Sequence, residues 1–254
     1  ITPANDAPTL QTPTVITITD TSATDSFAAS SGSLVASDVD PNTTLTYGII
    51  NGTVDGIVAT RVGTYGTLVM TTSTGAYTFT PNDAAINALI ANTFETFTFG
   101  VFDGVATTNA DLVVNLVAAN DTPILQTPTE IIITDTSSAD SFAASSGSLA
   151  AADVDANTTL TYSIVGITAV SGVATKVGTY GTLVLTTTTG AYVFTPNDAA
   201  INPLTTNTAE TFTLSVSDGV VTTNVDLVVN ISAFNDVPVV NAQSITPTED
   251  TVYN

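Results

Sequence analysis

Alternation of apolar and polar residues dominates the chain and predicts short β-strands. Thr14 to Thr19 reads T-V-I-T-I-T, and Leu45, Tyr47 and Ile49 alternate with polar or small residues in the same way. A period of two residues places apolar side chains on one face of a half-buried strand. Turn residues interrupt the runs, as at Asp20 to Asp25. Seven or eight short strands in about 100 residues predict an all-β fold, an antiparallel β-sandwich of immunoglobulin-like or cadherin-like type.

The whole pattern occurs twice in tandem. The signature Asn-Asp-x-Pro begins at Asn5, Asn120 and Asn235, so the interval is 115 residues each time. Residues 115 apart align without a gap, and roughly seven positions in ten are identical, which indicates duplication of one folding unit. We therefore predict one sandwich over residues 1–119 (the first copy), a second over residues 120–234 (the second copy), and the start of a different repeat over residues 235–254.

One segment in each copy has a helical pattern. Pro81 to Leu89 opens with Asn-Asp and then places Ile86 and Leu89 on one helical face, which predicts a helix of one or two turns. We expect Asp83, and Asp198 in the second copy, to cap this helix. Pro203 stands where the first copy has Ala88, and it should end the second helix earlier.

The charge of the chain excludes several function classes. The 254 residues include 23 acidic and only two basic side chains, for a net charge of −21, which argues against nucleic acid and anionic membranes as partners. The chain has no cysteine and no histidine, so zinc and copper sites and Ser-His or Cys-His nucleophiles are excluded. No apolar run approaches the length of a membrane span. We expect no enzymatic activity, and oxygen-ligated hard cations remain the natural ligands.

Acidic residues recur in register in the two copies. Asp38 and Asp40, matched by Asp153 and Asp155, place two carboxylates two residues apart in a D-x-D motif. This spacing also suits ordinary aspartate turns, so a role in the turn alone stays open. The sequence argues against an EF-hand, because Thr43 stands where that loop needs glycine and Ile49 where it needs glutamate. Three acidic motifs recur together in both copies, namely D-x-D, Asp-Gly and Asn-Asp-x-Pro. Their joint recurrence favours calcium binding.

Sandwich topology predicts where these acidic residues meet. The loop between the second and third strands, the loop between the last two strands, and the incoming junction lie at one end of such a domain. We expect Asp153, Asp155 and Asp218 to approach Asn120-Asp121, joined by either Asp20 or Glu95 of the preceding copy. Calcium takes six to eight oxygen ligands. The candidate ligands, with their equivalents in the other copy, are Asp6, Asp20, Asp38, Asp40, Glu95, Asp103, Asn120, Asp121, Asp153, Asp155, Asp218 and Asp236.

Several longer motifs carry a family resemblance over almost all of both copies. They are G-T-Y-G-T-L (Gly63 to Leu68), G-A-Y-T-F-T-P-N-D-A-A-I-N-A-L (Gly75 to Leu89), E-T-F-T-F-G-V-F-D-G (Glu95 to Gly104) and N-D-T-P (Asn120 to Pro123). They resemble the VCBS-type repeats of giant bacterial adhesins. The resemblance implies a calcium-binding, cadherin-like sandwich in the extender region of an RTX-class protein exported by type I secretion to the bacterial cell surface. Thr248 to Thr251 looks like the opening of a different cadherin-like repeat.

Two functions compete at this point. The first is a spacer that neighbours further repeats of its own chain and is stiffened by calcium at each junction, while a host-cell or surface ligand binds elsewhere in the parent protein. The second is a carbohydrate-binding or homophilic module that acts through the variable loops at Asn51 to Gly56 and Gly166 to Ser171. Those loops contain Gly, Thr, Val and Ala with Asp55 as the one acidic residue, which favours the spacer.

Overall fold

The predicted fold class is confirmed. A computed structural model describes residues 4–237, and in this range each copy is nearly all β with one short helix. The predicted features at Pro238, at Thr248 to Thr251 and through the rest of the C-terminal segment lie outside the described residues.

The first copy contains eleven strands and one helix. They are β1 (Thr9–Leu10), β2 (Ile16–Thr19), β3 (Ser30–Ser33), β4 (Ala36–Ser37), β5 (Thr46–Ile49), β6 (Thr53–Asp55), β7 (Val58–Val62), β8 (Gly66–Thr71), β9 (Ala76–Pro81), α1 (Asp83–Asn87), β10 (Thr93–Phe102) and β11 (Thr107–Val117). One sheet has the order β2-β11-β10-β5 and the other β3-β9-β8-β7-β6, while β1 pairs with β4. The pairings are antiparallel except for β2, which runs parallel to β11.

The second copy repeats this order without a counterpart of β6. Its elements are β12 (Ile124–Leu125), β13 (Ile131–Thr134), β14 (Ser145–Ser148), β15 (Ala151–Ala152), β16 (Thr161–Ile164), β17 (Val173–Val177), β18 (Gly181–Thr186), β19 (Ala191–Pro196), α2 (Asp198–Ile201), β20 (Thr208–Ser217) and β21 (Thr222–Ser232). Its sheets have the orders β13-β21-β20-β16 and β14-β19-β18-β17, with β12 beside β15. The missing strand falls in the variable loop, where Val170 and Val173 form an isolated bridge.

Inward-facing aromatic residues form the core of the first copy. Phe79 and Phe97 are fully buried, and their ring centroids lie 5.7 Å apart in an edge-on arrangement. Tyr77 packs on Phe99 with a centroid distance of 5.0 Å. Ile86 of α1 is also fully buried, so the helix contributes one apolar side chain to the same core. Burying each such side chain contributes about 1.5–3 kcal/mol.

The helix caps differ from the prediction, whereas the shorter second helix agrees with it. Asp83 and Asp198 do not cap them, because the N-cap residues are Asn82 and Asn197, and neither makes a side-chain cap hydrogen bond. The Asp83 carboxylate instead accepts hydrogen bonds from the Phe27 N–H and the Ser26 hydroxyl, so it ties the chain before β3 to the helix. As expected from Pro203, α2 spans four residues whereas α1 spans five.

Contacts between Cα atoms divide the chain into two compact units. The first unit consists of the residues up to Ile124 together with Ala151–Leu160 and Ser217–Thr223. The second consists of Leu125–Ala150, Thr161–Val216 and the described residues from Asn224 onward. Two loops of the second copy therefore belong to the first unit, and the limits drawn from the sequence at residues 119 and 234 stay a prediction.

We predict that Gly32→Ala destabilises the first copy. Gly32 lies opposite Tyr77 in the pairing of β3 with β9, and a Cβ atom there would fall on the Tyr77 ring. That ring is held against Phe99, so the overpacking should lower the free energy of unfolding by about 1–3 kcal/mol, measured by urea denaturation. Gly48→Ala is the matched control, since a Cβ at Gly48 meets nothing within 4 Å. Equal midpoints for the two variants would contradict the packing argument.

Candidate metal centre

Asp121 occupies the centre of an acidic cluster within the first compact unit. Its backbone N–H donates to Asp155 Oδ2 at 2.8 Å, and the next N–H, of Thr122, donates to the Ser22 carbonyl at 3.1 Å. These bonds hold the junction backbone from two sides. The Asp121 side chain is only 1% exposed, whereas Asp6, in the same motif of the first copy, is exposed.

The D-x-D loop supplies two further carboxylates. Asp153 Oδ1 accepts the Asp155 N–H at 2.8 Å, which is the turn geometry expected of an aspartate two residues earlier. Asp155 is 6% exposed. Asp153 Oδ2 and Asp155 Oδ1 are buried without a hydrogen-bond partner. The turn role left open by the sequence is thus present, and it leaves one oxygen of each residue free.

Asp218 holds the junction in place. Its Oδ1 accepts the backbone N–H groups of Val220 and Val221, each at 2.6 Å, and its Oδ2 accepts the Asn120 side-chain amide at 2.8 Å. Burial would raise the pKa of Asp218, but the hydrogen bonds from Asn120 and from the two backbone groups outweigh it and lower the pKa. Both oxygens are engaged, so Asp218 orients Asn120-Asp121.

Two acidic residues from the turn after β2 complete the cluster. Asp20 is 4% exposed, and neither of its carboxylate oxygens accepts a well-formed hydrogen bond. Burial raises its pKa, and the nearby backbone N–H groups of Ala119 and Thr21 partly offset this rise. Asp25 accepts the Thr21 N–H through Oδ2 at 2.7 Å. From the sequence, Asp25 was predicted only as the end of a turn and not as a candidate ligand. Its recurrence as Asp140, which accepts the Thr136 N–H through Oδ2 at 2.6 Å, was the available signal.

The cluster is electrostatically unfavourable when all its members are ionised. Burial, and then the charges of Asp20, Asp155 and Asp153, raise the pKa of Asp121 to about 6. Burial is also the main cause of the raised pKa values of Asp20 and Asp155. Removing water from a carboxylate and placing others nearby both disfavour its charged form. An opposite charge at this position would relieve both effects.

The free oxygens fit a hard divalent cation in number and in chemistry. Asp20 and Asp121 each contribute two buried carboxylate oxygens without a hydrogen-bond partner, and Asp153 and Asp155 contribute one each. Six oxygens lie at the lower end of the range that calcium takes. Within residues 4–237 no group of three or more Asp, Glu, His or Cys side chains is already arranged to hold a metal ion. The oxygens are available, but they do not form a finished cage.

The first copy repeats half of this arrangement at its own end. The Asp6 N–H donates to Asp40 Oδ2 at 2.8 Å, the Asn5 amide donates to Asp103 Oδ2 at 2.9 Å, and the Asp40 N–H donates to Asp38 Oδ1 at 2.7 Å. Backbone hydrogen bonds to Asp103, the largest from Ala106, and the bond from Asn5 lower its pKa. Asp38 Oδ2 is buried without a partner.

The other predicted ligands lie apart from the central cluster. Glu95 accepts the Thr64 N–H at 2.7 Å and the Tyr65 N–H at 3.1 Å, so both of its oxygens hold a turn. Of the two residues that the sequence left open, Asp20 is therefore the one whose charge acts on Asp121. In the second unit, Asp236 has one buried oxygen without a partner.

The chain is similar to solved structures only at low sequence identity and low TM-score. A scan against protein-family models finds no match, and a search of curated proteins finds none. Among solved structures, human protocadherin-24 EC1-2 has 16% identity and a TM-score of 0.34, with 91% of this chain and 99% of that chain covered. Protocadherin gamma B2 EC1-5 has 18% identity and a TM-score of 0.40, with 91% and 39% covered.

A third solved structure is Drosophila N-cadherin EC1-4, with 14% identity, a TM-score of 0.30, and 90% of this chain and 51% of that chain covered. The chain thus spans about half or less of two of these three structures. The VCBS-type resemblance stays a prediction. No helix among the described residues is long and apolar enough to cross a membrane.

We predict that the calcium-free protein loses stability as the pH rises from about 4 to 7. A carboxyl group whose pKa is higher in the folded state favours folding fully below its unfolded pKa of 3.8, and that contribution disappears as the pH passes the folded value of about 6. Thermal unfolding in chelator at several pH values measures the effect. Asp121→Asn should flatten the dependence, whereas Asp6→Asn removes the same charge from an exposed site and should not. Parallel curves for both variants would refute the assignment to Asp121.

Proposed function

We propose that the two copies are calcium-binding spacer repeats of a large bacterial surface adhesin, located outside the cell and joined to neighbouring repeats of the same chain. The observation that carries this proposal is the set of six buried carboxylate oxygens without hydrogen-bond partners around Asp121. A chain with 23 acidic and two basic residues has little positive charge of its own to neutralise them. A divalent cation supplies that charge.

Each side chain of the cluster has a definite part in such a site. Asp20, Asp121, Asp153 and Asp155 provide the free oxygens that would hold the ion. Asn120 and Asp218 are bonded to each other and fix the junction backbone. Bound calcium supplies two positive charges and accepts oxygen ligands in a flexible geometry.

The residues of the cluster come from both copies, which supports a spacer function. Asp20 and Asp25 belong to the first copy, Asn120 and Asp121 open the second, and the D-x-D loop lies further along it. One ion held by Asp20, Asp121, Asp153 and Asp155 would link residues of both copies, since Asp20 and Asp121 are 101 residues apart in the sequence. We propose that this linkage stiffens each junction and that the adhesion target binds elsewhere in the parent protein.

We predict that calcium stabilises the folded protein. Extracellular calcium modules bind with dissociation constants of about 10⁻⁴ to 10⁻³ M, so about 10 mM calcium should add about 1.4–2.7 kcal/mol to the free energy of unfolding. The melting temperature in calcium against chelator measures this effect. Asp155→Asn should abolish most of the shift, and Asp55→Asn, at an exposed site outside the cluster, should preserve it. An unchanged melting temperature of the unmodified protein would count against the calcium site.

We further predict that calcium restricts the junction. Removing the ion leaves several like charges close together, and their repulsion should loosen the chain at this point without unfolding either core. Small-angle scattering should show one defined maximum dimension in calcium and a broader distribution in chelator, while circular dichroism keeps its β signature. Asp153→Asn combined with Asp155→Asn should behave like the chelated protein even in calcium. Identical scattering in all conditions would contradict the stiffening role.

A further inference from the structure

The D-x-D loop of the second copy makes a backbone contact with the end of α1. The Ala156 N–H donates to the Ala88 carbonyl at 3.2 Å, and both residues belong to the first compact unit. Ala88 is the C-cap of α1, where carbonyl groups no longer have partners within the helix. Ala156 directly follows Asp155, whose Oδ2 accepts the Asp121 N–H. The contact therefore lies one residue from the centre of the acidic cluster.

The two copies differ at both partners of this bond. The first copy has Pro41 where the second has Ala156, and the second has Pro203 where the first has Ala88. Proline has no backbone N–H, so the loop that contains Pro41 has no donor at this position. Proline retains its carbonyl, so Pro203 still carries an acceptor. The difference that matters chemically is therefore the one in the D-x-D loop.

The two loops otherwise have the same conformation. The residue after the variable position is left-handed in both, with φ of 64° at Asn42 and 61° at Asn157. The hydrogen bond across the D-x-D motif is 2.7 Å in the first copy and 2.8 Å in the second. The same loop thus accommodates proline or alanine, and proline at position 156 should introduce no strain.

We propose that Ala156 is a positioning residue for the cation site. Its backbone N–H would also determine which type of copy can come directly after a copy that ends its helix as α1 does. The bond to Ala88 docks the D-x-D loop on the helix end and keeps Asp155 against the Asp121 backbone. Pro41 has no N–H and cannot make this bond. A copy with proline at this position could therefore not dock on the helix of a preceding copy in the way that the second copy does. The inference rests on the proposed function, because it assigns Ala156 a part in that same calcium site.

The decisive variant is Ala156→Pro in the full chain. The bond is lost while the loop conformation is kept, so the dissociation constant for calcium, measured by calorimetric titration, should rise about three- to tenfold, the change expected for one net hydrogen bond. Proline at a compatible position otherwise leaves stability unchanged or raises it, by restricting the unfolded chain. If the proline acted only on the local backbone, the variant would be as stable as the unmodified protein or more so, and its calcium affinity would not change. A loss of calcium affinity in a fully folded variant therefore points to the missing hydrogen bond.

Two control variants separate the N–H from the side chain. Ala156→Gly keeps the N–H and should retain calcium affinity within about twofold. Pro41→Ala introduces an N–H at the exposed equivalent position and should leave the affinity unchanged. Equal affinities of Ala156→Pro and the unmodified protein would overturn the inference and leave the calcium site intact. Equal losses in the proline and glycine variants would overturn it too, since the N–H would then not be the cause.

Amide hydrogen exchange in chelator tests the contact independently of calcium. The Ala156 amide should be protected in the unmodified protein, and the Ala156→Pro variant should expose the Asp121 amide, which depends on Asp155 for its partner. Free exchange of the Ala156 amide would overturn the inference whether or not calcium binds. A protected amide with no calcium binding would instead refute the proposed function and keep the docking contact, so the two failures are distinguishable.

Discussion

Burial of like charges around Asp121 is the constraint on which the junction depends. A buried carboxylate without a partner costs several kcal/mol, and the cluster places two such residues, Asp20 and Asp121, beside Asp153 and Asp155, each of which has one oxygen without a partner. The chain's only basic side chains are Arg61 and Lys176. Each lies over a core ring instead, Arg61 5.5 Å from the centroid of Phe97 and Lys176 5.7 Å from that of Phe212. These two side chains therefore do not balance the charge of the cluster.

Comparing the two copies shows which features are determined within each copy and which depend on the residues around it. The hydrogen bonds from Asn5 and Asp6 are reproduced almost unchanged by Asn120 and Asp121, so they are a local property of each copy. Burial is not a local property, because Asp6 is exposed and Asp121 is 1% exposed. The perturbed acidity of Asp121 therefore arises from the residues around it, among them Asp20.

Period-two alternation was sufficient to predict the all-β fold and most strands, because it reflects burial of one strand face. It does not fix strand limits where backbone conformation decides: after the turn at Asp20 to Asp25 the next strand begins only at Ser30, and Leu34 and Val35 separate it from β4. Recurrence in register pointed to the D-x-D motif, and sandwich topology offered either Asp20 or Glu95 from the preceding copy, of which Asp20 is the one whose charge acts on Asp121. Asp25 was missed, since its position next to Asp121 depends on how the turn after β2 folds back.

The parallel pairing of β2 with β11 gives each copy a mechanical property. Ile16 to Thr19 pair with Val114 to Val117, and Ile131 to Thr134 pair with Val229 to Ser232, so an early and a late strand of each copy run side by side in one direction. Tension along the chain would pull these strands past each other along their length. All rungs of the ladder are then loaded in shear together, whereas a hairpin pulled at its open end opens one rung at a time. The parallel ladder would therefore resist tension applied between the two ends of each copy.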